Sequence, residues 1–449
     1  MCSNTLTSAG ASLPGPHLAG LVGVVGLVVS IACGGSEAEV PRPRNLLFLA
    51  VDTLRADLLG AYGETPSATP TIDSLAASGV VFEHAISHAS WTLPSFASVL
   101  TSQYTSTHGC WTFETPLAES FDTLPEIFQR EGFDTFGVAS HIFFNDNYGL
   151  KQGFDDFDDE LAHSREEEGW VKVTSPLVTE KAVRWLDERA ASGASDPWLL
   201  WLHYFDPHVP YVDHARESGG EVKPELARYR SEIAFTDGFL ARVMEALERG
   251  GFADETSVVF LSDHGESFQE HPGVYRHARS LFREELRIPL VIRVPGVKPR
   301  RVSSPVRTVD LLPTLLDVFG IEPDRGMSLE GESLVSAMLG GTHVARPALA
   351  EIALHADAHH VRSIVDGGWK LIERRTGGFH LYDLAGDPAE RTDLSGVHPE
   401  RVIALRSTME GLMVRARARG VPYAQGRKAV EHTPEEMERL KEMGYVGDE

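Results

Sequence analysis

Residues 45–52 read NLLFLAVD. Leu46 to Val51 is an unbroken apolar run, the pattern of a strand buried on both faces of a parallel sheet, and it ends on a carboxylate, Asp52. Similar runs recur at Trp198 to Phe205, Ser257 to Leu261 and Ile288 to Val294. Helical patterns stand between them at 71 to 78, 122 to 131, 175 to 191, 224 to 249 and 309 to 319. The alternation predicts an α/β fold, a doubly wound, mostly parallel sheet flanked by helices. After about residue 345 the texture changes to short β-like segments at Ala348 to Ala353, His360 to Asp366, Trp369 to Arg374 and Phe379 to Leu384. Gly-rich turns separate them, which predicts a small antiparallel α+β subdomain over 345–449.

Upstream of this region, Leu18 to Ala32 is an apolar stretch of about 15 residues, short for a bilayer span of about 20 and suited to a signal h-region. It ends in Ser30-Ile31-Ala32-Cys33-Gly34, small residues before a cysteine, as at bacterial lipoprotein cleavage sites. Residues 1–33 are therefore expected to be an export segment with Cys33 as the lipidation site, and 34–44 a Pro- and Gly-rich tether. The catalytic domain is expected over 45–344, in an exported, periplasmic or cell-surface protein that meets the membrane only through its N-terminal anchor. The formal charge of −24 repels polyanions, and no Lys or Arg run forms a phosphate stripe, so nucleic acid is excluded as a partner. Cys110 reads as a small buried residue.

In an open α/β sheet, ligands bind beyond the carboxyl ends of the strands. Asp52 follows the first apolar run, and Asp263 and His264 follow Ser257 to Leu261. Two hard oxygen ligands and a nitrogen suit one divalent cation of the Ca, Mn, Mg or Zn group. Thr92 lies two residues before Pro94, and Pro94 to Leu100 reads as a helix with proline at its first position. The Thr92 hydroxyl would face the positive helix end, which favours an anionic substrate and a developing alkoxide.

The blocks NLLFLAVDTLRADLLGAYG (45–63), TPTIDSLAASGVVF (69–82) and WTLPSFASVLTSQYTSTHG (91–109) resemble successive motifs of the sulfatase family, within the alkaline phosphatase superfamily. The likeness continues through HYFDPHVPY (203–211), LSDHGESFQEH (261–271), RIPLVIRVPG (287–296), LYDLAGDPAERTDL (381–394) and RLKEMGYVG (439–447). The resemblance implies that Asp52, Asp263 and His264 hold the metal and that Thr92 occupies the nucleophile position, where it also touches the metal. It implies that His208 and His277 hold substrate oxygens or protonate the leaving group, with His203 a further substrate-binding candidate.

The chain also departs from that pattern. Sulfatases resemble CxPSR at the nucleophile, with the Cys or a Ser oxidised to formylglycine; here the residues are Thr92-Leu93-Pro94-Ser95-Phe96. Oxidising a threonine would give a ketone, and Phe96 replaces the arginine that supports the aldehyde hydrate. Thr53 follows Asp52 where a second acidic ligand is usual, and the Lys-x-His sulfate clamp is missing, with His141 its partial substitute. Pro210 stands four after Asp206, where two-metal members carry a histidine, which favours a single ion. The expected activity is hydrolysis of a small anionic sulfate or phosphate ester, with the phosphoester or phosphodiester preferred on mechanism. The alternatives are an arylsulfatase, an envelope phospho-group transferase and an inactive binding protein of the same fold.

Overall fold

A computed structural model describes residues 41–166, 169–170, 173–214, 224–353, 360–374, 377–425 and 427–446. Cys33, the export segment and most of the tether lie outside the described residues. The described residues fall in one compact unit.

The central sheet has eight strands: β1 (Asn45–Val51), β2 (Val80–Phe82), β3 (Asp134–Ala139), β4 (Asp156–Asp158), β5 (Trp198–Tyr204), β6 (Thr256–Leu261), β7 (Leu290–Arg293) and β8 (Arg300–Val302). Their spatial order is β8-β2-β7-β6-β1-β5-β3-β4. From β6 to β4 every pairing is parallel. β1 lies in the middle, with Ala50 level with His203 on one side and Leu261 on the other. Its apolar run serves two cores at once. Leu46, Phe48 and Ala50 enter one hydrophobic cluster and Leu47, Leu49 and Val51 enter the other, as strand alternation requires. Phe48 stacks on Trp201 of β5 with centroids 4.1 Å apart.

The run Ile288 to Val294 is not one parallel strand. Pro289 has no N–H to give a ladder, so the chain changes sheets there. Arg287–Ile288 pairs with Ala85–Ile86, whereas β7 joins the central sheet antiparallel to both β6 and β2. The loop after β6 stays at the carboxyl edge, so β7 can only run back.

Helices α1 (Pro70–Ser78), α2 (Thr92–Thr101), α3 (Ser175–Ser192), α4 (Glu225–Arg249) and α5 (Leu311–Phe319) accompany the sheet. α4 buries Tyr229, Ile233, Leu240, Val243 and Leu247, one apolar stripe of an amphipathic helix. α2 is buried along its whole length. It begins at Thr92, so Pro94 is its third residue and not its first. A helix accepts proline anywhere in its opening turn, because those N–H groups have no partner within the helix.

The C-terminal region forms an antiparallel four-stranded sheet of β9 (Ala348–Ile352), β10 (Val361–Asp366), β11 (Trp369–Glu373) and β12 (Phe379–Asp383). Helix α6 (Pro399–Gly420) lays Leu405, Met409, Met413 and Ala416 on Leu349, Ile364, Leu371 and Leu381 of that sheet. Helix α7 (Pro434–Glu442) follows. Cys110 is buried.

Glu351 on β9 ties this sheet to the turn after α2. Its carboxylate accepts the Ser106 hydroxyl at 2.7 Å and the Ser106 N–H at 3.0 Å. Burial nevertheless pushes its carboxyl from 4.5 up to about 7. The folded protein thus binds more protons than the unfolded chain between these values, so stability falls as pH rises through that window and levels off above it. The loss from this one group is about 3 kcal/mol. Glu351→Gln should flatten this part of a melting-temperature profile, with its advantage over the wild type growing from pH 5 to pH 8. Parallel profiles would contradict the assignment.

Candidate active site

The carboxyl ends of β1, β5 and β6 are neighbours, so the residues that follow them converge. Asp52 comes directly after β1, and Asp263 and His264 come just after β6; all three are buried. One ligand atom from each lies within 4.8 Å of the others. His264 Nε2 stands 3.6 Å from Asp52 Oδ1 and 3.3 Å from Asp263 Oδ2. Thr53 adopts a left-handed backbone with φ 53°, costly for a β-branched residue. That turn sends its N–H to Asp263 Oδ1 at 3.3 Å and its carbonyl to the Tyr229 hydroxyl at 2.6 Å. The strain fixes the direction in which the chain leaves β1.

Neither carboxylate oxygen of Asp52, nor Oδ2 of Asp263, has a hydrogen-bond partner among the described residues. Burial, and after it the charge of Asp263, push the Asp52 carboxyl well above the usual carboxylate range. Buried carboxylate oxygens are rarely left without a partner, and here two of these three flank His264 Nε2. Such a donor set fits a divalent cation. Among the described residues it is the one group of three or more His, Cys, Asp or Glu side chains with this geometry.

Thr92 enters from α2. Its Oγ1 lies 3.4 Å from His264 Nε2 and 3.1 Å from the hydroxyl of Tyr445. Ser95, one turn along, donates its hydroxyl to the Asp263 carbonyl at 2.6 Å and so locks the helix to the Asp263 loop. Phe96 points away into the core, edge-on to Trp201 at 5.4 Å and to His203 at 5.3 Å. His203 on β5 sets Nε2 3.5 Å from Asp52 Oδ2, and burial holds its imidazole down to about 4, hence neutral. It lies beside Asp52 on the sheet side.

The remaining predicted histidines line the other wall. His208 and His277 have ring centroids 4.7 Å apart, and His264 and His277 are 4.8 Å apart. His141 lies 5.8 Å from His208. Burial first, and neighbouring imidazoles next, keep His141, His208 and His277 well below the usual histidine range. Local contacts orient each ring. The Phe143 N–H donates to His141 Nδ1 at 3.2 Å, which leaves the proton of this neutral ring on Nε2. His208 Nδ1 donates to the Val209 carbonyl at 2.7 Å, so its unpartnered Nε2 carries the lone pair. His277 Nδ1 stands 3.1 Å from Glu266 Oε1, and Arg276 and Ala278 on either side of it both adopt left-handed φ, 64° and 59°.

Sequence reasoning missed Glu266 and Tyr445. Glu266 lies inside the block LSDHGESFQEH and Tyr445 inside RLKEMGYVG, but no spacing rule distinguishes either from a solvated residue. Asp206 is otherwise engaged: it accepts the N–H and hydroxyl of Ser175, each at 2.6 Å, at the start of α3.

The sulfatase family profile matches residues 44–321. The chain belongs to the sulfatase family. The C-terminal profile of N-sulphoglucosamine sulphohydrolase matches residues 270–417 of this sulfatase-family protein. It is 25% identical over 445 residues to the uncharacterized sulfatase YidJ of Escherichia coli (strain K12), covering 82% of this chain and 86% of that one. Its fold resembles the phosphonate monoester hydrolase of Agrobacterium radiobacter, with TM-score 0.70, 22% identity, and coverage of 88% of this chain and 100% of that one. It resembles equally BT4656, solved with its substrate D-glucosamine-2-N,6-O-disulfate, with TM-score 0.70, 18% identity, and coverage of 86% and 100%. The same fold thus accommodates a phosphonate hydrolase and a protein with a sulfated sugar as substrate, and the site must decide between such chemistries.

The orphaned oxygens give this site a test that needs no turnover. Added divalent metal should raise the melting temperature of the wild type by mass action. Asp52→Asn should weaken that binding by more than the roughly 10–100-fold lost with a supporting hydrogen bond of a metal site. In metal-free protein at neutral pH the same substitution should raise the melting temperature, because it removes a buried carboxylate that folding disfavours. A metal response unchanged by Asp52→Asn would contradict the assignment.

Proposed function

We propose that this sulfatase-family protein hydrolyses a small anionic ester, with unmodified Thr92 as the nucleophile and a phosphoester preferred to a sulfate ester. One observation carries this reading: Thr92 Oγ1, at the start of a buried helix, lies 3.4 Å from the nitrogen that His264 contributes to the Asp52, Asp263 and His264 cluster. A divalent cation held by those three side chains would stabilise an ionised hydroxyl and neutralise the ester oxygens. The start of α2 adds its dipole and free N–H groups to the same place.

The chain's own groups account for the rest. As Thr92 Oγ1 loses its proton it forms a bond to phosphorus, and the ester oxygen on the opposite side leaves with its bonding pair. The proton leaving Thr92 passes to Nε2 of His277 or His208, each with Nδ1 occupied and its Nε2 lone pair free, and the imidazolium so formed gives that proton to the departing oxygen. His277 is the better placed, because the Glu266 carboxylate beside its Nδ1 fixes the ring and favours an imidazolium as it forms. Water then releases the phosphoryl group from Thr92. His141 presents an N–H where the sulfatase pattern has its Lys-x-His pair, and a neutral donor suits a site whose charge comes from a cation.

The preference for phosphorus rests on side-chain chemistry. A threonine cannot yield the aldehyde that sulfatases use, and Phe96 is buried against Trp201 and cannot support an aldehyde hydrate. The names of the curated relatives favour the second reading, a sulfate ester attacked by the same hydroxyl. Export through residues 1–33, with Cys33 lipidated, belongs to the proposal and suits a hydrolase of external esters.

A panel of aryl sulfate, phosphate monoester, phosphodiester and phosphonate substrates separates the readings. A phosphodiester should turn over faster than an aryl sulfate. Thr92→Ala should lower kcat by about 10³-fold or more while leaving the metal-induced rise in melting temperature in place. Aryl sulfate turnover above every phosphoester would favour the second reading, and full activity in Thr92→Ala would remove the nucleophile from both.

A further inference from the structure

The site just described is closed. Thr92, His141, His203, His208, Asp263 and His264 are each no more than 1% exposed. One of the segments packed over it is 433–446. Helix α7 starts at a capping box, in which the Thr433 N–H donates to Glu436 and the Glu436 N–H to Thr433 Oγ1, and it buries Leu440. It ends at Glu442; two residues on, Gly444 takes a left-handed φ of +84°, and the Tyr445 N–H bonds back to the Leu440 carbonyl at 2.9 Å. This closing turn is the one that glycine favours after a helix, and it sends the next side chain inward.

That side chain is Tyr445, which is 1% exposed. Its hydroxyl sits 3.1 Å from Thr92 Oγ1 and 3.4 Å from His141 Nε2, bridging the proposed nucleophile and the histidine in the clamp position. Its ring lies 5.6 Å from His277, 6.1 Å from His208 and 5.1 Å from Phe143. The hydrogen-bond direction follows from the ring tautomer: His141 Nε2–H donates to the phenol, which leaves the phenol's own proton for Thr92. An ester must bring its reacting atom to about 3–3.5 Å from the attacking oxygen. The phenol oxygen already stands at that distance, so it competes with an ester for the space beside Thr92 Oγ1.

We propose that Tyr445 is a gate that determines access and specificity: residues 433–446 hold it in the place of the transferring group, and an ester binds only when this segment withdraws. The proposal rests on the Thr92 site being the one that takes substrate. Withdrawal breaks no sheet ladder, because 427–446 pairs with no strand among the described residues. The contacts to be released are the packing of Leu440, Met443 and Tyr445 in the main hydrophobic core and hydrogen bonds such as Arg439 Nη2 to the Ser140 carbonyl at 3.2 Å and Asn145 Nδ2 to Glu436 at 3.3 Å. Small anions should need less displacement than large ones, so the gate sets which esters are admitted.

The probe is inorganic phosphate, titrated calorimetrically into full-length protein loaded with divalent metal. Tyr445→Ala should bind phosphate at least 10-fold more tightly than the wild type and lower KM for an aryl phosphate. Tyr445→Phe keeps the ring and loses the hydroxyl, so it should gain only about 2- to 10-fold, the worth of a modest hydrogen bond. In the wild type, amide exchange over 439–446 should rise when phosphate binds, a readout that holds even if Tyr445→Ala fails to fold. Unchanged phosphate affinity in folded Tyr445→Ala, or a lower kcat in both variants without tighter phosphate binding, would overturn the gate. So would slower exchange over 439–446 on binding. The phosphate titration and the amide exchange need no turnover by Thr92, so an active Thr92→Ala would sink the nucleophile and leave the gate standing.

Discussion

Two carboxylates held together out of water, with too few donors between them, set the terms for the rest of this structure. The effective cost of burying a charge is several kcal/mol per ion, and repulsion between Asp52 and Asp263 adds to it. The protein does not offset this from its own groups, since both oxygens of Asp52 lack a partner among the described residues. What it supplies is rigidity. β1 and β6 run side by side in register, Thr53 is held in a strained turn, and Ser95 ties α2 to the Asp263 carbonyl. The donors are therefore preorganised before any cation arrives.

The same burial shapes the histidines. Imidazoles in water would be partly protonated near neutral pH, but burial and mutual repulsion keep His141, His208 and His277 neutral. Neutral rings can donate and accept hydrogen bonds without adding positive charge that would compete with a bound cation. Glu266 makes His277 the exception in kind, pairing it with a carboxylate where His208 has only a backbone carbonyl. Enclosure also means that access is part of the chemistry, and the hydroxyl of Tyr445, 3.1 Å from Thr92 Oγ1, is part of that enclosure.

Much of this was legible in the sequence, for identifiable reasons. Continuous apolar runs marked β1, β5 and β6 because strands in the middle of a parallel sheet are buried on both faces. The residues just beyond those runs marked Asp52, Asp263 and His264 because strand ends are where such sheets place ligands. The run at 288–294 misled, because apolarity reports burial and not direction, and the proline inside it was the only sign of the break. Pro94 misled about the start of α2, since any position in the first turn suits proline. Tyr445 could not have been found from local pattern. It lies 353 residues from Thr92, and only tertiary packing brings the two together.

The central claim is that Thr92 itself attacks the ester and carries the transferred group. Rapid-quench mass spectrometry on metal-loaded protein mixed with an aryl phosphate tests it most directly. The account predicts that free enzyme has an unmodified Thr92 and that, within the first turnover, the peptide carrying Thr92 gains the mass of the phosphoryl group and then loses it. Phenol release with no adduct on that peptide at any time, or an adduct on another residue, would contradict it.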